Sequence, residues 1–203
     1  IYDRYFDEFI FLNKYQINDY INFIKSYGTE KNIIYINSPK EIVKIAKKIS
    51  EQLGEVDDKE IKKMIKQISN YVNEEYDLID GLKKGVIYHC GLIPDNIRIY
   101  IEDRVRKIKN LKYILCSSTL LEGVNMPFTT MFILDLYKGP KYLTYHQLIN
   151  LIGRVNRFNI IFSGKKEGLK GIMSNIYFIK RKEISGDYEG FISERLKMES
   201  SSY

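Results

Sequence analysis

The sequence predicts an α/β domain with a parallel β-sheet at its centre, and three observations carry that expectation. Short, almost wholly apolar runs alternate along the chain with segments whose apolar residues recur at helical spacing. The runs are continuously apolar rather than alternating, as strands covered on both faces are. Each ends in small polar residues, glycine or proline before the next helical pattern begins, which is the strand–helix order that winds a parallel sheet. At 203 residues and 44% hydrophobic, the chain suits one domain, or one with a small appendage. That length buries a core without disulfide staples.

The first run, KNIIYINSP (31–39), reads as a buried strand that leaves through Asn, Ser and Pro. EIVKIAKKISEQLG (41–54) reads as a helix with Ile42, Ile45, Ile49 and Leu53 on one face and Gly54 as its stop. Residues 57–85 open with an Asp cap and keep helical spacing, so they form one helix or a pair. GVIYHCG (85–91) is the second strand, and PDNIRIYIEDRVRKIKN (94–110) a helix started by Pro and Asp. LKYILCSS (111–118) and TTMFILDL (129–136) are the third and fourth strands. LTYHQLINLIGRVNRF (143–158) is a helix with a Thr cap. SNIYFIKRK (174–182) is the fifth strand and SGDYEGFISERLKM (185–198) the last helix. Residues 1–28 read as helical and rich in aromatics, and SGKKEGLKG (163–171) as a loop.

The bulk properties narrow the classes. Net charge is +6, from 32 basic and 26 acidic residues, which permits a polyanionic partner without naming one. No apolar run approaches the roughly 20 residues of a membrane-spanning helix. Cys90 and Cys116 have neither CxxC nor metal-type spacing, so they are expected as reduced thiols of an intracellular, cytoplasmic protein, with no metal site.

In wound parallel sheets, ligands sit beyond the carboxyl ends of the strands. The loops there are Asn37-Ser38-Pro39, then His89-Cys90-Gly91, then SSTLLEGVNMP (117–127), and after the fourth strand a helix carrying Arg154 and Arg157. Hydroxyls, glycines and exposed amides suit close approach to phosphates. Two arginines at i and i+3, in a chain that otherwise prefers lysine, suit the planar fork that meets phosphate oxygens in pairs. Each feature also has a plainer reading. His89 can be a satisfied structural group, Ser117 to Thr119 can cap a turn, and the arginines can complement a helix C-terminus.

Their joint order is more specific. NIIYINSPKEIVKIAKKI, then GVIYHCGLIPDNIRIYIEDRVRK, then LKYILCSSTLLEGVNMPFTTMFI, then YLTYHQLINLIGRVNR together resemble the second RecA-like domain of superfamily 2 helicases. The likeness is to the DExH branch related to RNA-exosome and DNA-repair helicases, over about residues 30 to 182. The third block resembles that branch's motif V (T-L-x-x-G-V-N-x-P) and the fourth its motif VI (Q-x-x-G-R-x-x-R).

The resemblance implies a RecA-like parallel sheet with helices on both faces. It also implies ATP, with Mg²⁺, held between this domain and a first RecA-like domain that carries the phosphate cradle. Arg154 and Arg157 are then catalytic arginine fingers, and Gly123, Asn125 and Asn150 face the nucleotide. Ser38, His89, Gly91, Ser118 and Thr119 line the track of single-stranded DNA or RNA and contact its backbone. Three positions depart from the family pattern: Asn150 stands for the usual glutamine, Val155-Asn156 for Ala-Gly, and Pro39 for a basic residue.

No GxxxxGK[ST] occurs, so the phosphate cradle is expected on a missing N-terminal partner domain. On this reading residues 1–29 are a helical lead-in and 30–203 a helicase C-terminal domain, inactive alone and part of an ATP-dependent helicase when whole. The alternative is a RecA-like module that binds nucleic acid or protein without ATPase activity.

Overall fold

The computed structural model describes residues 2–3, 8–9, 19–71, 76–117, 128–153, 175–182 and 186–196. Five strands form one parallel sheet: β3 (Asn32–Tyr35), β4 (Val86–His89), β5 (Tyr113–Cys116), β6 (Thr130–Ile133) and β9 (Asn175–Phe178), in the order β4-β5-β3-β6-β9. Helices surround it: α1 (Tyr20–Tyr27), α2 (Pro39–Glu51), α3 (Lys59–Ser69), α4 (Asp77–Lys83), α5 (Asp95–Lys107), α6 (Tyr145–Ile152) and α7 (Tyr188–Leu196). This is the expected RecA-like α/β architecture, each apolar run giving one strand.

Register aligns the side chains in rows across the sheet. Ile87, Ile114, Ile33, Met131 and Ile176 share one row, and Tyr88, Leu115, Ile34, Phe132 and Tyr177 the next. The four strands β3 to β6 are buried throughout, which is why they read as continuous apolar runs. Phe23 of α1 packs edge-on to Phe132 and Tyr177 and covers the second row. Cys90 and Cys116 are buried free thiols.

The helices start where their caps stand. Asp58 accepts from Glu60 N and Ile61 N at the head of α3, and Thr144 with Gln147 closes a reciprocal capping box on α6. The stretch 57–85 is a helix pair, α3 and α4. α2 begins two residues earlier than its periodicity indicated, because Ser38 is its N-cap and Pro39 sits in the first turn.

Two parts differ from expectation. Residues 1–28 are not helical throughout: β1 (Tyr2–Asp3) and β2 (Glu8–Phe9) pair antiparallel, and only α1 is a described helix there. Tyr and Phe favour extended backbone as readily as they fill a helical face, so aromatic content alone could not separate the two. The stretch 137–142, unassigned by pattern, forms a hairpin of β7 (Tyr137–Lys138) and β8 (Lys141–Tyr142). Its turn is Gly139-Pro140. Gly139 has φ +62° and proline cannot take a positive φ, which makes this a type II′ turn and glycine the fitting residue. The 163–171 loop lies outside the described residues. Among the described residues, no helix is long and apolar enough to cross a membrane.

Candidate functional site

The strand order creates a crevice. From β3 the chain runs to β4 at one edge, and from β6 it proceeds to β9 at the other, yet β3 and β6 are neighbours. Chain leaving their carboxyl ends in opposite directions opens the switch-point cleft of a wound sheet. A cleft of about 520 Å³ lies there, with Ser38, Lys44 and Lys48 of the α2 side facing Tyr137, Gly139 and Arg181.

A charge cluster built on the buried Arg181 and Asp135, with Glu41 half-buried, forms its floor. Arg181 follows β9 and is 6% exposed. Its Nη2 donates to Asp135 Oδ1 at 2.7 Å and its Nη1 to Glu41 Oε2 at 3.1 Å. The other oxygen of Asp135, Oδ2, accepts from Asn37 N at 2.8 Å. Burial works against the Arg181 charge, but the bonds to Asp135 and Glu41 outweigh it and raise its pKa. Burial likewise disfavours the Glu41 carboxylate, yet Lys44 and Arg181 hold it below the ordinary range. One guanidinium thus ties the ends of β6 and β9 to the first turn of α2.

Ser38 is half-buried at the cleft edge. Its Oγ accepts from Glu41 N at a long 3.5 Å, and the hydroxyl proton is left to donate to a ligand. The positive end of the α2 dipole points the same way. Lys44 and Lys48, one turn apart on α2, are exposed along the wall.

His89 lies elsewhere, at the end of β4, with its side chain turned inward. It is 1% exposed, and Nε2 meets Glu102 Oε1 of α5 at 2.8 Å; Nδ1 has no hydrogen-bond partner among the described residues. Burial lowers its pKa, and Glu102 offsets that only in part. Gly91, two residues on, is exposed with open space around it. The outward face of this segment is therefore the turn at Gly91 rather than the imidazole.

Asn150 is exposed on α6, whose Leu148 and Leu151 are buried. The helix is described to Ile152 and capped by Gly153, whose N–H donates to Ile149 O at 2.8 Å. Arg154, Arg157, Gly123, Asn125, Ser118 and Thr119 lie outside the described residues. The structure brings Ser38 into the switch-point cleft and puts His89 and Gly91 at the end of the outermost strand, β4, two positions from β3. Sequence reasoning missed Asp135, Glu41 and Arg181. The available signal was a charged residue directly after an apolar strand run, in LDL and in IKRK.

No family model matches the chain. Among curated proteins, "Anti-bacteriophage protein B" of Escherichia coli (strain K12) is 30% identical over 98 residues, covering 48% of this chain and 13% of that protein. "ATP-dependent DNA helicase Hel308" of Thermoplasma volcanium is 29% identical over 130 residues, covering 62% of this chain and 18% of the helicase. "Helicase POLQ-like" of Drosophila melanogaster is 30% identical over 108 residues, covering 46% and 10%. The chain thus matches only a small part of the length of each of these relatives. Distant and partial as the matches are, they relate this RecA-like domain to helicases.

Proposed function

We propose that the chain is the second motor domain of an ATP-dependent, superfamily 2 nucleic-acid helicase or translocase of the DExH branch. The observation that carries this reading is a coincidence of two independent facts. The loop in which the resemblance assigns Ser38 to strand contact opens onto the cleft where a wound sheet binds its ligand. A phosphodiester backbone suits that cleft: Ser38 Oγ–H and the α2 N-terminus meet phosphate oxygens, and Lys44 and Lys48 supply charge. Such contacts ignore base sequence and serve DNA and RNA alike.

On the same reading Gly91, Ser118 and Thr119 continue the track, and the buried His89 holds the turn at Gly91 from behind through Glu102. Gly123, Asn125 and Asn150 face ATP, and Arg154 and Arg157 approach its γ-phosphate, where arginine offsets charge that develops as the phosphoryl group leaves. Mg²⁺ and the phosphate cradle belong to a first RecA-like domain. Residues 30–203 then make up the motor domain and 1–29 the lead-in from that partner.

The test is ATP hydrolysis by the full-length protein, with and without single-stranded DNA and RNA. Turnover stimulated by one of them is expected, and Arg157→Ala should lower it by roughly 10³- to 10⁵-fold while strand binding persists. Undiminished turnover in Arg157→Ala sinks the finger assignment. Strand binding by a wild-type protein that never hydrolyses ATP replaces the motor with a binding module.

A further inference from the structure

We propose that Asn37 and the Gly139 turn form a latch through which the strand-gripping loop sets the position of helix α6. This rests on the motor reading above and adds residues that the resemblance does not name.

The geometry is reciprocal. Asn37 Nδ2 donates to Gly139 O at 3.0 Å, and Gly139 N donates to Asn37 Oδ1 at 2.9 Å, across 102 residues of chain. A carboxamide is the side chain that supplies one donor and one acceptor in the spacing of a peptide group. Asp offers no donor, and Ser or Thr is too short to span both. Asn37 therefore treats the tip of the β7–β8 hairpin as an adjoining strand. Its own backbone N–H is held by Asp135, so the loop is fixed on one side to the charge cluster and on the other to the hairpin tip.

The hairpin is anchored at its base and latched to the loop at its tip. Tyr35 Oη donates to Tyr137 O at 2.7 Å, and Leu143 N donates to Leu136 O at 2.8 Å, closing the base. Tyr142 stacks on Tyr137 with ring centroids 4.5 Å apart and leans on Phe191 of α7. Directly after Tyr142 come Leu143 and Thr144, the N-cap of α6. Helix α6 leads, through its cap Gly153, into Arg154. With the base fixed, opening the latch lets the tip take a second arrangement, and an element with two arrangements is the physical requirement for coupling two sites. Both latch bonds are exposed and share a single amide, so they are made or broken together and are weak enough to change in each cycle.

A phosphate drawn against Ser38 displaces the loop that carries Asn37. The latch passes that displacement to Gly139, and the hairpin passes it to the cap of α6. Strand occupancy then biases where α6 stands, with no contact between nucleic acid and the helix. Asn37 acts here as a positioning residue. Gly139 is the fitting partner because its φ of +62° aims both its N–H and its carbonyl at the loop, and a side chain there strains the turn although it meets open space.

The experiment uses the full-length protein and reads two quantities separately: strand affinity, and the ratio of ATP turnover at saturating single-stranded nucleic acid to turnover without it. Asn37→Ala is expected to lower that ratio by roughly tenfold, a usual size for coupling between sites, while strand affinity shifts less than about threefold. Gly139→Ala weakens the latch from the other side and should give the same loss, and the double variant should be no worse than either single. A normal ratio in both variants overturns the latch and leaves the motor reading standing. So does a ratio that recovers at saturating strand while affinity alone falls, because Asn37 is then a plain ligand contact. Independent, additive losses in the double variant also overturn it. A wild-type protein without stimulated turnover fails earlier, and takes the motor reading with the latch.

Discussion

The two ends of the sheet both carry buried polar groups, and they use them in opposite ways. At the amino end, Lys31 is 8% exposed and gives its ammonium to the carbonyls of Val105 and Ile108, the last turn of α5. Asn32 Nδ2 donates to Thr29 O and Lys112 O, and the Thr29 hydroxyl bonds those of Thr129 and Thr130. These donors are turned onto the protein's own groups, although a cleft of about 600 Å³ also opens at this end, beside Thr29, Lys112 and Tyr113. At the carboxyl end the buried Arg181–Asp135 pair, with the half-buried Glu41, holds up a rim whose Ser38, Lys44 and Lys48 face a cleft. Buried charge alone therefore says nothing of function. The distinction is whether the donors end on the chain's own carbonyls or support others that face outward.

The comparison breaks most sharply at Arg181. Arg181→Ala leaves Asp135 buried without its cation, which should cost about 3–5 kcal/mol in urea unfolding. Combining Arg181→Met with Asp135→Asn removes both charges yet keeps an acceptor for the Asn37 amide, and most of the loss should return. A double variant as unstable as the single would show that the cluster acts by more than charge pairing.

Lys31→Met probes the amino end. Losing the ammonium leaves the terminal carbonyls of α5 without their buried donor, with an expected cost of about 1–3 kcal/mol. Strand affinity of the full-length protein should not move; a loss there would erase the contrast between the ends.

The smallest effect is the pH dependence of His89. Burial depresses its folded pKa below the ordinary value. Between that depressed pKa and the unfolded value of about 6.5, the unfolded chain binds more protons, so stability rises with pH across this window. It should decline as pH falls below about 6.5, and His89→Asn should flatten the slope; an unchanged slope would assign the dependence to other groups.

Much of this was legible in the sequence. NIIY, VIYH, YILC and TMFI are strands because short runs of mostly apolar residues suit a position covered on both faces, and Ser38, Asp58 and Thr144 announce helices by capping chemistry. The hairpin was not legible, since two-residue strands have no period to detect. The charge cluster was hidden for another reason: Asp135 and Arg181 are 46 residues apart, and only the strand order makes them neighbours. Arg154 and Arg157 were the reverse case, conspicuous as a pattern but lying outside the described residues.

The central position of β3 bears on how the chain is made. Both of its neighbours, β5 and β6, follow it in sequence, the nearer by 80 residues at the Asn32–Lys112 contact. At roughly 5–20 residues per second, a ribosome needs about 4–16 s to supply that first partner. Through that interval β3, buried throughout in the finished sheet, is an unpaired and mostly apolar segment. Newly synthesised chains should therefore pass through a window in which they attract chaperones or one another, and slower translation between residues 36 and 112 should lower the yield of folded protein.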